Sequence, residues 1–245
     1  MKIKESSGPK ILFFDIENTP LLGWAWSTYE TNLLGVVKDT ELLSFAYKID
    51  NGPIRVLSRR LYTEKELAKA LWKLFDEAEV LIGHNGDSFD IKMANQYFIK
   101  YKLPPPSPYK SVDTKKMAKK SFRFAQNKLD YLGQFLYKEG KISTNMDLWF
   151  KCMDGDTSAL LKMERYNKQD VALLFKVYQT LRPWSSNHPN HNLYVGTTHQ
   201  CPVCGGHTHK RGYMFTRVGK YQRYQCQTCA AWSKGEKINS DKVIS

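Results

Sequence analysis

The sequence predicts a mixed α/β domain, in which helices flank a β-sheet, followed by a small metal-binding domain. Three observations carry this prediction. Strand-like and helix-like segments alternate from residue 10 to residue 181. Apolar periodicity then stops at residues 182–192, where Pro, Ser, Asn and His dominate. Beyond this break, four of the five cysteines form two Cys-x-x-Cys pairs.

The first three predicted strands, at residues 10–17, 41–49 and 54–61, form an antiparallel meander. The turn signal Asp50-Asn51-Gly52 joins the second strand to the third. Thr63-Glu64-Lys65-Glu66 is a capping box and begins a helix that runs to about residue 78. The remaining predicted elements are strands at 80–83 and 109–112 and helices at 89–101, 114–122, 128–137 and 158–181.

The composition indicates a globular protein that binds a polyanion. Hydrophobic residues make up 42% of the 245 residues and charged residues 25%, which excludes wholesale disorder. Lys and Arg number 37 against 24 Asp and Glu, a net charge of +13, and this favours nucleic acid over an anionic membrane surface. The N-terminal region has no apolar run of signal-peptide length, so we expect a cytoplasmic protein without a membrane partner.

The break in composition also divides the predicted domains. We expect an α/β domain at residues 1–182, a linker at 183–196 and a cysteine-containing domain at 197–245. Residues 182–245 hold nine Lys and Arg against two acidic residues, so this short segment carries more than half of the excess positive charge.

Acidic side chains occupy positions where apolar residues are expected. The two-residue period of the first strand places Asp15 and Glu17 on one face. Asp170 falls in the apolar stripe of the last long helix, with Tyr166 one turn before it. Asp90 lies in the first turn of the helix at 89–101. Burial of an ionised carboxylate costs several kcal/mol unless it is compensated, so these positions need an explanation.

Each acidic position has a structural explanation when it is taken singly. Fraying of the strand would expose Asp15 and Glu17, a local hydrogen bond would satisfy Asp170, and Asp90 would serve the helix dipole. Together, the three elements can converge on one edge of a sheet. Four carboxylates at that edge would repel each other unless they held two divalent cations about 4 Å apart. Oxygen ligands without histidine favour Mg²⁺ or Mn²⁺ over Zn²⁺.

Three short motifs contain these acidic residues. They are Asp15-Ile16-Glu17, Asn85-Gly86-Asp87-Ser88-Phe89-Asp90 and Tyr166-Asn167-Lys168-Gln169-Asp170. In order and spacing they resemble the motifs of the DEDDy 3′–5′ exonucleases, a group that includes the proofreading domains of family B DNA polymerases. The resemblance covers roughly residues 10–181. It implies an RNase H-like fold.

The same resemblance implies a role for each motif residue. Asp15, Glu17, Asp90 and Asp170 would bind two Mg²⁺ or Mn²⁺ ions, with Asp15 bridging them. Tyr166 would orient the attacking water, since a phenol with an ordinary pKa near 10 is a poor base at neutral pH. Asn85 would lie near the terminal nucleotide, and the products would be nucleoside 5′-monophosphates. The chain is too short to include a polymerase domain, so proofreading in cis is not expected.

A basic stretch follows the second motif. Residues 91–128 contain ten Lys and Arg and a single acidic residue. Lys115, Lys119 and Arg123, together with Lys116 and Lys120, fall at helical spacing and predict a basic ridge that binds the phosphates of a substrate. A solvated helix face is the alternative.

The four clustered cysteines predict a zinc ribbon. Cys201 and Cys204 are separated from Cys226 and Cys229 by 21 residues, and four thiolates satisfy one structural Zn²⁺. The aromatic and basic residues on either side of Gly219 predict a hairpin with the composition of a strand-binding surface. A purely stabilising or protein-docking ribbon is the alternative. Ala230-Ala231 stands where such ribbons often carry glycine.

The sequence therefore predicts a metal-dependent 3′–5′ exonuclease with a C-terminal zinc ribbon. Its substrate would be single-stranded or 3′-tailed DNA. Two alternatives stay open: an exoribonuclease that trims RNA 3′ ends by the same chemistry, and a nucleic-acid-binding zinc-ribbon protein without catalysis.

Overall fold

A computed structural model of the chain describes residues 8–29, 32–140, 142, 144–195 and 200–238. It forms two compact units, one of residues Lys10–Val177 and one whose described part comprises residues 8–9 and 178–238 without 196–199. Among the described helices, none combines the length and the apolar character needed to cross a membrane.

The order of elements follows the predicted alternation of strands and helices. The strands are β1 (Ile11–Asn18), β2 (Leu22–Trp24), β3 (Gly35–Lys38), β4 (Leu42–Ile49), β5 (Ile54–Ser58), β6 (Val80–Gly83), β7 (Lys110–Asp113), β8 (Thr208–Thr216), β9 (Gly219–Cys226) and β10 (Trp232–Ile238). The helices are α1 (Glu64–Glu77), α2 (Asp90–Lys100), α3 (Thr114–Ser121), α4 (Leu129–Tyr137), α5 (Met146–Met153), α6 (Thr157–Leu181) and α7 (Asn192–Val195).

The larger unit is built on a five-stranded sheet with the order β5-β4-β1-β6-β7. Strand β1 pairs antiparallel with β4 and parallel with β6, while β4 pairs antiparallel with β5. The predicted mixed sheet is therefore confirmed. The antiparallel meander is also present, because β1, β4 and β5 are the first three strands of this sheet.

Strand β1 is the central strand and packs helices on both of its faces. Leu12 and Phe14 join a buried cluster with Phe75 of α1 and residues of α2. On the other face, Phe13 packs edge to face on Phe175 of α6, with ring centroids 5.1 Å apart. Since both faces are covered by apolar contacts, the strand is held rigidly up to the point where its acidic residues begin.

Two parts of the larger unit were not predicted. Strands β2 and β3 form a separate two-stranded sheet, and their large apolar side chains, including Trp24 and Val36, are exposed. Neither strand has the alternating burial from which a strand is recognised. Helix α5 is only eight residues long, and it follows a Gly- and Ser-containing segment that carries no helical pattern.

The smaller unit contains a three-stranded antiparallel sheet with the order β10-β9-β8. Strands β8 and β9 pair from Thr208 and Cys226 to Thr216 and Gly219, so the predicted hairpin is present. Strand β10 was not predicted. It pairs with β9 and completes the sheet.

The predicted capping box begins α1, where Glu64 also forms a buried polar contact. The Glu64 carboxylate accepts hydrogen bonds from the backbone of Leu42 at 3.1 Å, from Lys100 at 2.7 Å and from the Tyr101 hydroxyl. Burial raises the pKa of Glu64, but these hydrogen bonds outweigh it, so the pKa lies below its usual 4.5. The charged carboxylate thus links α1 to β4 and α2.

Replacement of this carboxylate is expected to destabilise the larger unit in a pH-dependent way. Because the folded pKa of Glu64 is depressed, its contribution is present above about pH 4.5 and is lost as the pH falls through the folded pKa. We expect Glu64→Gln to lower the free energy of unfolding by about 1–3 kcal/mol at pH 7 and by less near pH 3. Urea unfolding at both pH values measures this difference. Glu139→Gln is the control, since Glu139 forms an exposed ion pair with Lys176, and an equal loss in both variants would contradict the prediction.

Candidate active site and candidate zinc site

Three carboxylates from two distant segments meet at the end of the central strand. Asp15 and Glu17 of β1 and Asp170 of α6 each place a carboxylate oxygen within 4.8 Å of the others. Asp170 is buried, whereas Asp15 and Glu17 are partly exposed, so the group is open to solvent on one side. The apolar stripe of α6 brings Asp170 to this position, because Met163, Leu173 and Val177 on the same stripe are buried.

Asp90 is not a member of this group of three, but it lies beside the same strand. Its Oδ1 accepts a hydrogen bond from the backbone N–H of Ile16, the residue between Asp15 and Glu17, at 3.2 Å. The pairing of β1 with β6 ends at Phe13 and Ile82, so this N–H lies beyond the parallel ladder. The first residue of α2 thus provides an acceptor where the strand partner stops.

Tyr166 lies one helical turn before Asp170 on α6. Its ring contacts Trp149 of α5 edge to face, with centroids 6.2 Å apart, and it packs on a buried cluster that includes Leu148 and Met163. Helix α5 therefore supports the tyrosine of the third motif from a segment in which no element was predicted.

Asn167 is a site residue that the sequence reasoning missed. It is fully buried, and its Nδ2 donates hydrogen bonds to Oδ2 of Asp15 at 2.7 Å and to the Asp15 carbonyl oxygen at 3.1 Å. Its Oδ1 accepts a hydrogen bond from the hydroxyl of Ser44 at 3.1 Å, and Ser44 on β4 is also fully buried. This chain of hydrogen bonds fixes the orientation of the Asp15 carboxylate.

The loop between β6 and α2 connects Asn85 to the basic stretch. Asn85 has a left-handed backbone with φ of 68°, and its N–H donates to Oδ1 of the buried Asp113 at 3.0 Å. The same oxygen caps α3 by accepting from the N–H groups of Lys115 and Lys116. Lys115 Nζ lies 3.2 Å from Oδ1 of Asn85. Two predicted substrate-binding residues, Asn85 and Lys115, are therefore in direct contact.

The predicted basic ridge is shorter than expected. Helix α3 ends at Ser121, and Phe122 has an extended backbone, so Arg123 lies beyond the helix and not on a common face with Lys115 and Lys119. The chain leaves the helix where Phe122 stacks on Phe124, and Phe124 in turn contacts Phe135 of α4. Lys119 is exposed on the helix. The helical placement of Arg123 was wrong because these ring contacts outweigh continuation of the helix.

The carboxylate group has the chemistry of a divalent-cation site. Two ionised carboxylates about 5 Å apart repel each other by about 3 kcal/mol at the effective dielectric constant of a protein. Three such groups within 4.8 Å therefore favour a compensating cation, and hard oxygen donors suit Mg²⁺ or Mn²⁺. The donor set fits the ions that the motifs predict.

The four clustered cysteines have the geometry of a tetrahedral zinc site. The Sγ atoms of Cys201 and Cys229 are 3.7 Å apart, and those of Cys204 and Cys226 are 3.6 Å apart. Four sulfurs at about 2.3 Å from one zinc ion stand roughly 3.8 Å from each other, so the spacing fits. Hydrogen bonding with Cys201 lowers the pKa of the Cys204 thiol, which favours a thiolate within the group.

Ala230 follows the second cysteine pair in a left-handed conformation with φ of 61°. Gly205, which follows the first pair, also has a positive φ, of 73°. Both cysteine pairs thus form the same type of turn, although one of them lacks the glycine. The turn after Cys229 accommodates a Cβ at a cost of roughly 1 kcal/mol.

Comparison with known proteins agrees with this fold. The chain matches the family model RNase_H_2 of the RNase_H superfamily over residues 12–182. It is similar in structure to the family B DNA polymerase from the hyperthermophilic archaeon Pyrobaculum calidifontis, with a TM-score of 0.55 and 15% sequence identity. The similarity covers 71% of this chain and 25% of the polymerase chain, and at this identity it shows the fold alone. None of the curated proteins matches the chain.

A mixed sheet whose central strand ends in a group of carboxylates defines the class of RNase H-like nuclease folds. The family match extends over more than half of the sequence, and the chain belongs to the RNase_H superfamily. The predicted RNase H-like fold is confirmed. The four cysteines are consistent with the predicted small zinc-binding domain.

Removal of the Asn167 amide is expected to weaken the cation site as well as the fold. In Asn167→Ala, Asp15 loses the donor that orients it and the hydroxyl of Ser44 loses its acceptor. We expect the free energy of unfolding to fall by about 1–3 kcal/mol. We also expect the rise in Tm on addition of Mn²⁺ to fall by at least half. Thermal unfolding with and without Mn²⁺ measures both effects. Lys168→Ala, at the exposed neighbouring position, is the control, and an unchanged Mn²⁺-dependent rise in Asn167→Ala would contradict the prediction.

Substitution of Ala230 by glycine is expected to stabilise the cysteine-containing unit. Glycine adopts a positive φ without the Cβ clash, and this gain exceeds its entropic cost in the unfolded chain, for a net effect of up to about 1 kcal/mol. Titration of the zinc-loaded protein with a colorimetric chelator should show that Ala230→Gly releases its metal at a higher chelator concentration than the unaltered chain. Ala231→Gly is the control, because Ala231 is buried beside it and should release metal earlier. Metal release at a lower chelator concentration from both variants would refute the assignment of backbone strain to Ala230.

Proposed function

We propose that the chain is a metal-dependent 3′–5′ exonuclease that hydrolyses single-stranded or 3′-tailed DNA to nucleoside 5′-monophosphates. The observation that carries the proposal is the convergence of Asp15, Glu17 and Asp170 within 4.8 Å at the end of the central strand of an RNase H-like sheet. A polyanionic substrate agrees with the net charge of +13. One protein of similar fold is a DNA polymerase, and DNA is the nucleic acid that we propose on this analogy.

In this proposal, Asp15, Glu17, Asp90 and Asp170 hold two Mg²⁺ or Mn²⁺ ions. When bound, the ions acidify water and neutralise charge on the phosphate. Asp15, which is oriented by Asn167, would be one of the residues that hold these ions. The hydrogen bond between Asp90 and the Ile16 N–H keeps its carboxylate beside β1, from which it completes the set.

The reaction adds water to the phosphorus of the last phosphodiester and breaks the bond to the 3′ oxygen of the preceding nucleotide. That oxygen takes up a proton, and a nucleoside 5′-monophosphate leaves. Tyr166 holds the attacking water through its hydroxyl group, while its ring is braced by Trp149. A phenol suits this role because it donates and accepts hydrogen bonds but stays neutral at pH 7.

Four further side chains are proposed to bind the substrate strand. Asn85, in the loop that precedes Asp90, contacts Lys115 of α3, so an amide and an ammonium group are presented together near the second motif. Lys119 and Arg123 would contact phosphates further along the strand, Lys119 from α3 and Arg123 from the segment after it. The cysteine group would hold one structural Zn²⁺ and act in folding, not in hydrolysis.

The proposal is tested with carboxylate variants and end-labelled DNA. We expect Asp15→Asn and Asp170→Asn to reduce mononucleotide release on the order of a thousandfold or more, with little loss of DNA affinity. Asp154→Asn, at an exposed position, is the control and should keep full activity. Chromatography of the products identifies the mononucleotides, and full activity in both purified site variants would refute the site.

Matched substrates separate the remaining possibilities. A 3′-tailed DNA and an RNA of the same sequence should be digested in parallel with Mg²⁺ and with Mn²⁺. Shortening of the DNA from its 3′ end supports the proposed activity. Digestion of RNA alone indicates the exoribonuclease, and binding of both without digestion indicates a protein without catalysis.

A further inference from the structure

One face of the β9–β10 pair carries alternating cations and rings. Tyr221 and Arg223 on β9 lie two residues apart, as do Trp232 and Lys234 on β10. Arg223 is the register partner of Lys234, so all four side chains share one face of the sheet. We refer to these four residues as the ribbon ladder.

Each cation of the ribbon ladder stacks on a ring of the neighbouring strand. The guanidinium of Arg223 lies 4.5 Å from the ring centroid of Trp232, and Nζ of Lys234 lies 4.4 Å from that of Tyr221. The Nε of Arg223 also donates to the carbonyl oxygen of Arg211 at 3.1 Å, which fixes the guanidinium. Trp232 as a whole is still 48% exposed. The cations are therefore held in place while an aromatic face stays available to solvent.

Arg223 and Lys234 are register partners, so two cationic side chains leave the sheet from neighbouring positions, and each lies over a ring of the other strand. Like charges on one face of a sheet are unfavourable unless an anion compensates them. Among the described residues, none of the ion pairs involves either side chain. A bound anion would compensate these two charges.

The charge of the surrounding segment identifies the kind of anion. Residues 200–238 contain seven Lys and Arg and one acidic residue, Glu236. A polyanion is attracted to such a surface along its whole length, and this raises its binding affinity. The exposed ring of Trp232 next to the paired cations suits a ligand in which flat apolar groups alternate with charges, and nucleic acid has this pattern whereas an acidic peptide does not.

We propose that the ribbon ladder is a second binding site for single-stranded nucleic acid, with phosphates bound by Arg223 and Lys234 and a base stacked on Trp232. The choice of a single strand rests on the proposed nuclease function. The site itself lies within one compact unit and needs none of the carboxylates of the other. It would hold the strand by contacts that do not depend on hydrolysis.

The opposite face of the same sheet provides a matched control. Lys220 stacks on Tyr213 at 3.8 Å and lies 5.8 Å from the centroid of Phe215, which is exposed. Lys220 is next to Tyr221 in β9 and therefore points to the other side. Loss of Lys220 and Phe215 removes one charge and one ring, as does loss of Lys234 and Trp232.

The test compares the two faces in the full-length, zinc-loaded chain. Both double variants, Trp232→Ala with Lys234→Gln and Phe215→Ala with Lys220→Gln, are made in an Asp170→Asn background so that the strand is not digested. Binding of a labelled oligo-dT of about 30 nucleotides is followed by fluorescence anisotropy at several salt concentrations. We expect the ribbon-ladder variant to raise Kd at least tenfold and to lower the salt slope by about one, and the control to change Kd less than twofold. Equal zinc content in both variants shows that the unit is folded.

Each outcome decides the proposal. Equal Kd values for the two double variants, whether both unchanged or both raised, would overturn it, because the effect would then be absent or due to net charge alone. Displacement of the oligonucleotide by poly-glutamate at equal concentration of charge would also overturn it in favour of an acidic protein partner. Mononucleotide release is measured separately with Asp170 intact. If no protein releases mononucleotides but the ribbon-ladder variant alone binds weakly, the nuclease proposal fails and this one stands.

Discussion

The site in the larger unit depends on holding three carboxyl groups together at the end of one strand. Asp15, Glu17 and Asp170 approach within 4.8 Å, although mutual repulsion would drive them apart. The fold resists this repulsion with apolar packing on both faces of β1 and with the buried stripe of α6. Apolar packing of β1 and α6 thus determines where the carboxylates lie. Such an arrangement lowers the stability of the free protein and raises its affinity for divalent ions.

The hydrogen bonds around these three carboxylates explain why the site forms at the end of β1. Strand β1 pairs with β4 along most of its length but with β6 only over its first three residues. Beyond Phe13 the side that faced β6 is open, and the N–H of Ile16 there binds the Asp90 carboxylate. On the other side, Asn167 joins Asp15 to Ser44 of β4. The acidic residues thus lie where backbone pairing gives way to side-chain contacts.

The fold and the main carboxylates were predictable because periodicity encodes them. In the sequence, Asp15 and Glu17 interrupt the apolar two-residue period of β1, and Asp170 interrupts the apolar stripe of α6. An acidic residue in an apolar pattern can be recognised without a structure. Asn167 carries no such signal, since a neutral amide next to the stripe of a helix is ordinary in a sequence. Its role depends on Ser44, which is 123 residues away. The end of α3 was predicted to within one residue, but the path of the chain beyond it was not, because that path involves the contact of Phe124 with Phe135 in the next helix.

The separation of charge along the chain follows from the chemistry at the acidic site. A cluster of carboxylates repels a phosphate backbone until cations are bound, so attraction for the strand must come from other parts of the protein. Basic side chains placed among the carboxylates would form ion pairs with them and compete with the metal ions. The excess of Lys and Arg instead lies in residues 91–128 and in the cysteine-containing unit, where Arg223 and Lys234 stack on rings and form no ion pair within the described chain. A sheet next to four clustered cysteines suits this task, because a metal ion held by the thiolates would stabilise it and leave its faces free to carry charge and aromatic rings.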